Sequence, residues 1–149
     1  MNTSQILHKS QANQKMFISS ACLKKIPKVL VAEENIESRS VTNELLDLYD
    51  VKILKTENGE EAVDFAVYHR PNLIILDPTL PGIDGFETAR LIRSIGSLNT
   101  VPIIFLSDYP DRAERYKAFA VGGSDYLIKP LDLDRLDNIL EKFLFSPNR

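Results

Sequence analysis

The chain has 149 residues, 44% hydrophobic and 26% charged, the balance of one globular domain with a usable core. A net charge of -3 and an isoelectric point near 5.4 give a nucleic-acid partner no electrostatic support. The single cysteine, Cys22, excludes an internal disulfide and fits a reducing cytoplasm, and no apolar run reaches the length of a membrane span.

Residues 1–26, rich in Ser, Gln and Asn, read as a flexible polar leader. The first 27 residues carry Lys9, Lys15, Lys24 and Lys25 and no acid, a balance of +4 that leaves -7 on the remainder. ISSAC (18–22) has the look of a lipoprotein cleavage box. The MFIS before it is too short for a signal h-region, so Cys22 reads as a bystander thiol. The domain is expected over 27–146, with a short tail at 147–149. KVLVA (28–32) predicts a strand buried on both faces. Residues 34–48 predict a helix with Val41, Leu45 and Leu48 on its buried stripe. VKILKT (51–56) is more polar and predicts an edge strand. Asn58-Gly59 then turns into a helix carrying Ala62, Phe65 and Ala66.

LIIL (73–76) is the most hydrophobic strand. Asp84 is placed to cap a helix containing Phe86, Ala89 and Ile92. VPIIFLS (101–107) reads as a fourth strand with its Pro at the tolerated start. A helix from Pro110 to Val121 stops at Gly122-Gly123. DYLI (125–128) is a fifth strand, and Asp132 opens a last helix with Leu133, Leu136, Leu140 and Phe143 on one face. Five strands alternating with five helices predict a parallel α/β sheet covered on both sides.

In such a sheet, functional groups gather beyond the carboxyl ends of the strands. Those ends carry Glu33 and Glu34, Asp77, Ser107 and Asp108, and Lys129-Pro130. Clustered carboxylates repel and call for a cation, and oxygen-only ligands favour Mg²⁺. A lysine offers phosphate a point charge, a serine hydroxyl offers it a hydrogen bond, and a carboxylate can attack phosphorus. The set reads as an aspartate that accepts a phosphoryl group. Alone, Asp77 would read as a turn-capping residue and Lys129 as a solvated one; the constellation promotes both.

VLVAEEN, LIILDPTLPGIDG, VPIIFLSD and GGSDYLIKP, in this order and at strand ends, resemble the receiver domain of two-component response regulators over residues 28 to about 145. The resemblance implies a flavodoxin-like, doubly wound five-stranded parallel sheet of order 2-1-3-4-5 with five helices. It implies that Asp77 takes phosphoryl from a histidine kinase or histidine phosphotransfer protein. It further implies that Glu33, Glu34, Asp77 and the Thr79 carbonyl hold Mg²⁺, and that Ser107 and Lys129 contact the phosphoryl group. Tyr126 would be the aromatic that reorients with Ser107, and Thr79 and Tyr109 would influence the phosphoryl lifetime through water access.

The sequence departs from the family pattern in three ways. Glu34 stands where the family usually has Asp, so its longer side chain can displace its carboxylate from the metal. Asp108 puts a negative charge beside Ser107, opposing an incoming phosphoryl group. Pro78 follows the acceptor directly and removes one N–H while leaving Thr79 free.

No effector domain is recognisable after Leu144. The expectation is a cytoplasmic, stand-alone receiver that signals through an unidentified downstream protein, with no DNA or membrane partner. Output would pass through the face of the fourth and fifth helices and fifth strand, where a homodimer could also form. The alternative is a degenerate receiver that binds partners without phosphorylation. An enzyme is not expected. Thr79 stands where a haloacid dehalogenase-type phosphatase would need a second Asp, and acidic AEEN would repel the phosphate of FMN.

Overall fold

The computed structural model describes residues 25–145. The leader up to residue 24, with His8 and Cys22, and the tail at 147–149 lie outside the described residues. The elements run β1 Lys28–Ala32, α1 Ile36–Leu46, β2 Lys52–Thr56, α2 Gly59–His69, β3 Leu73–Leu76 and α3 Gly85–Ser94. A 3₁₀ turn at Gly96–Leu98 follows, then β4 Ile103–Ser107, α4 Arg112–Ala120, β5 Asp125–Ile128 and α5 Leu133–Phe143. All neighbouring strands pair in parallel, in the order β2-β1-β3-β4-β5. The predicted flavodoxin-like topology is therefore the observed one.

Alternation along the strands divides the core into two layers. Leu30, Ala32, Ile74, Leu76, Ile103 and Phe105 share one cluster with Ala62, Ala66, Phe86, Ala89 and Ile92 of α2 and α3. Val29, Val31, Leu73, Ile75, Ile104 and Leu106 share the other with Leu46 of α1 and Leu136, Ile139 and Leu140 of α5. Every residue of β3 and β4 is buried, which is why those strands read as unbroken apolar runs. Each fully buried Leu or Ile contributes about 1.5–3 kcal/mol, so the two layers clamp the central strands from both sides. The edge strand β2 exposes Lys52 and Lys55, charges that discourage pairing with another chain.

One expectation fails on α1. Val41 and Leu48 are exposed, and the buried residues of the helix are Thr42 and Leu46, with Tyr49 buried just beyond its end. The inward stripe lies one residue on from the expected one, with Leu45 half-buried beside it; the helix itself begins at Ile36, capped by the Asn35 side chain accepting from the Ser38 amide at 2.9 Å. Similarly, α4 begins at Arg112 behind an Asp111 cap rather than at Pro110.

The loop after β3 is shaped by two different glycine requirements. Gly82 sits at φ +76, a conformation that side chains resist. Gly85 instead permits contact: a Cβ there would collide with the Asp77 carbonyl oxygen and lie 2.6 Å from Pro78 Cα. Its amide donates to the Pro78 carbonyl at 2.9 Å, which presses the start of α3 against the Asp77 loop. Gly85→Ala is therefore expected to lower unfolding stability by about 1–3 kcal/mol through overpacking. Gly96→Ala, where a Cβ meets nothing within 4 Å, serves as the control and changes it by less than about 1 kcal/mol. Urea midpoints of the two variants check the contrast.

Candidate functional site

The chain crosses from β1 to β2 on one side and from β3 to β4 on the other, so the strand order reverses between β1 and β3. A crevice opens beyond the carboxyl ends of those two strands, and the residues that follow them are Glu33 and Asp77. Both are buried, at 5% and 4% exposure. The Glu33 amide donates to the Thr56 carbonyl at 3.0 Å and the Asp77 amide to the Ala32 carbonyl at 3.0 Å, so the sheet's own ladder carries both carboxylates into place.

The Lys129 ammonium bridges them. It pairs with Glu33 Oε1 and lies 2.5 Å from Asp77 Oδ2, with Asp108 Oδ2 a looser third neighbour at 3.6 Å. The Lys129 amide donates to the Ser107 carbonyl at 2.8 Å, fixing where its side chain starts. The remaining oxygens are also committed. Asp77 Oδ1 accepts from the Thr79 amide at 2.7 Å and the Thr79 hydroxyl at 2.8 Å. Glu33 Oε2 accepts from the Asn35 amide at 3.2 Å, and Arg39 Nη1 donates to the Glu33 carbonyl at 3.0 Å.

Burial, together with the neighbouring Asp77 carboxylate, pushes the Glu33 carboxyl up to about 7 despite Lys129. Burial alone would raise Asp77 as well, but hydrogen bonds from Glu33, Lys129 and Thr79 outweigh it and hold Asp77 below the usual carboxylate range. Burial would likewise lower Lys129, yet the two carboxylates outweigh it and raise the ammonium. The repulsion of two buried acids is thus relieved by the Lys129 ammonium and by a Glu33 carboxyl that holds its proton more readily than usual, and Asp77 is the acid that ionises first.

The other expected residues divide. Ser107 is fully buried, accepts from the Tyr109 amide at 3.0 Å and donates to Glu114 Oε1 at 2.9 Å; it makes no hydrogen bond to Asp77. Tyr126 is buried and its hydroxyl donates to the Tyr109 carbonyl at 2.6 Å. Tyr109 thus takes part through its backbone, while its ring stays exposed. Asp108 is exposed apart from its contact with Lys129. Glu34 is exposed, precedes the Asn35 cap and bonds none of the other site residues. Glu114 was not anticipated. Its signal in the sequence is the capping pattern Asp111-x-x-Glu114 opening the helix after Ser107.

Among the described residues, no three carboxylate, imidazole or thiol groups come together to hold a metal. The donors that fit Mg²⁺ are oxygen only: the Glu33 and Asp77 carboxylates and the Thr79 carbonyl, which accepts no hydrogen bond among the described residues. Binding a divalent ion there would displace the proton that burial favours on Glu33, because a metal ligand must be ionised.

The raised Glu33 has a consequence for stability. Below about pH 4.5 folded and unfolded chains both carry its proton; as pH rises toward about 7 only the folded one does, so its contribution fades across that window. Asp77, held low, contributes stability above its unfolded value that is lost in acid. Melting temperature is therefore expected to decline between about pH 5 and 7.5, and Glu33→Gln to flatten that decline, as thermal denaturation across pH will check.

A family model for the response regulator receiver domain matches residues 29–141. The polar-differentiation response regulator DivK of Brucella anthropi is 27% identical over 116 residues, 78% of this chain and 94% of DivK. Other curated relatives are longer: the chain spans 54% of the transcriptional regulatory protein CrdR of Helicobacter pylori, at 31% identity over 78% of this chain. The receiver domain of the sensor histidine kinase PA1611 of Pseudomonas aeruginosa, solved with magnesium in its active-site cleft, superimposes with a TM-score of 0.76. It is 29% identical, over 82% of this chain and all of that one. The co-crystal structure of the Saccharomyces cerevisiae phosphotransfer protein Ypd1 and the Ssk1 receiver domain gives 0.73 at 26% identity, over 79% and 88% of the chains. With its five-stranded order and its Glu33–Lys129–Asp77 cluster, the chain belongs to the response regulator receiver domain family.

Proposed function

We propose that Asp77 accepts a phosphoryl group from a histidine kinase or histidine phosphotransfer protein, and that the modified domain signals by contact with another protein. The observation that carries this reading is the Lys129–Asp77 Oδ2 pair, an ionised buried carboxylate with an ammonium 2.5 Å away. A carboxylate oxygen of Asp77 attacks phosphorus, the bond from phosphorus to the donor's nitrogen breaks, and an acyl phosphate forms. Lys129, already in the cleft, pairs with the added charge, and Thr79 steadies the Oδ1 side of the carboxylate. Glu33, Asp77 and the Thr79 carbonyl would hold Mg²⁺, which when bound neutralises phosphoryl oxygens. The magnesium in the PA1611 receiver supports this choice of ion.

A groove of about 390 Å³ lies beside the site, lined by Asn35, Ser38, Val41, Leu106, Pro130 and Leu131 among others, with Lys129 and Asp108 also in its wall. A donor docked there reaches the cleft, and the Ypd1–Ssk1 complex supports a phosphotransfer protein as such a donor. Apart from its own phosphorylation and slow hydrolysis, the domain performs no catalysis on this reading, and it works in the cytoplasm. The face of α4, β5 and α5 carries the output, to a downstream protein or a second copy.

A second reading, a receiver that binds partners without phosphorylation, is favoured by two observations. Glu34 is exposed and makes no bond to Glu33, Asp77 or Lys129, and the Ser107 hydroxyl is engaged by Glu114. Acetyl phosphate with Mg²⁺, followed by intact mass, is expected to give one phosphoryl adduct on the wild type and none on Asp77→Asn. No adduct on either, together with no Mg²⁺ binding by calorimetry, selects the second reading.

A further inference from the structure

The Ser107 hydroxyl has one proton, and in this structure it is given to Glu114 Oε1 at 2.9 Å. Its oxygen already accepts from the Tyr109 amide, so the hydroxyl is fully engaged without Asp77. Glu114 stands at the third position of α4, behind the Asp111 cap. A glutamate there ordinarily turns back to bond the cap residue's own amide, closing a capping box. Here the Asp111 side chain caps the helix through the Ala113 amide at 3.0 Å, and the Glu114 carboxylate reaches out of the helix to Ser107, so the box is not closed. Glu114 therefore has one partner at the switch serine, where the Tyr126 hydroxyl is also a neighbour, and a possible second in its own helix.

We propose that Glu114 is an internal competitor for the Ser107 hydroxyl. It occupies in the unmodified domain the place that a phosphoryl oxygen on Asp77 takes in the modified one. This rests on phosphoacceptance at Asp77. When the Ser107 O–H turns to donate to the phosphoryl oxygen, its bond to Glu114 Oε1 breaks, and the freed carboxylate accepts instead from the Asp111 amide. The exchange swaps one charge-assisted hydrogen bond for another and tightens the first turn of α4. That turn follows directly on Tyr109 and Pro110, so the change reaches the surface through the segment that also receives the Tyr126 hydroxyl. Glu114 is a positioning residue: it acts through Ser107.

The test is a double-mutant cycle on adduct formation from acetyl phosphate with Mg²⁺, followed by intact mass in wild type, Glu114→Ala, Ser107→Ala and the double variant. Glu114→Ala is expected to speed adduct formation by roughly tenfold, since the hydroxyl no longer has to leave a charged partner. Glu114→Gln, which keeps an acceptor without the charge, should give a smaller gain. In the Ser107→Ala background the Glu114→Ala gain should vanish. If the gain persists there, removal of a nearby negative charge explains it and the proposal fails. It fails equally if Glu114→Ala reacts at the wild-type rate while the wild type forms its adduct; phosphoacceptance then stands. No adduct on any variant overturns both. Hydrogen exchange at the Asp111 amide supplies a second readout: phosphorylation should slow it in wild type and not in Glu114→Ala, and an unchanged wild-type amide overturns the proposal.

Discussion

Two carboxylates buried at one crevice set the constraint around which the site is built. Like charges about 4 Å apart repel by about 4 kcal/mol at an effective dielectric of 20, and burial adds a desolvation cost to each. Lys129 answers that repulsion from an unexpected distance in the topology. It leaves the end of β5, an edge strand, and crosses above β4 to reach Asp77 after β3 and Glu33 after β1. Only a long, flexible side chain ending in a compact charge can span that interval and satisfy both acids. The order of the strands and the positions of the charges are therefore one constraint.

The rest of the molecule keeps that arrangement rigid. The apolar layers on the two sides of the sheet leave β3 no freedom to slide, since a slip of one residue would invert every buried side chain. Gly85 brings the start of α3 against the Asp77 loop, and Asn35 supplies both the cap of α1 and the amide that steadies Glu33. Helix starts and strand ends thus meet around the same few atoms. The ammonium of Lys129 and the amide and hydroxyl of Thr79 favour an ionised Asp77, nearly out of contact with water though it is, while burial raises the Glu33 carboxyl beside it.

Much of this could be read in the sequence, for identifiable reasons. Strands buried on both faces announce themselves as apolar runs, and LIIL and IIFLS are such runs. Asp84 and Asp132 cap their helices as their position before each apolar stripe implies. The acids and the lysine were legible because strand ends converge in this topology. Helix α1 was misread because Thr42, a polar residue, takes a buried position and the exposed Val41 imitates one. Whether Glu34 faces the cleft depends on where the Asn35 cap turns the chain, a three-dimensional matter that residue type leaves open. Glu114 is hidden in the sequence because its spacing from Asp111 has a complete local explanation as a capping box, whereas in the fold its carboxylate turns to Ser107.

The part played by Tyr109 separates two properties that are fused in many switches. Its amide serves Ser107 and its carbonyl serves Tyr126, while its ring, 56% exposed, serves neither. The main chain carries the internal wiring, and the side chain is left to face solvent. Any residue able to adopt the same backbone preserves the wiring, so this position is open to substitution without damage to the device beneath it. The surface chemistry at this point can thus change by a single ring while the hydrogen bonds beneath it persist.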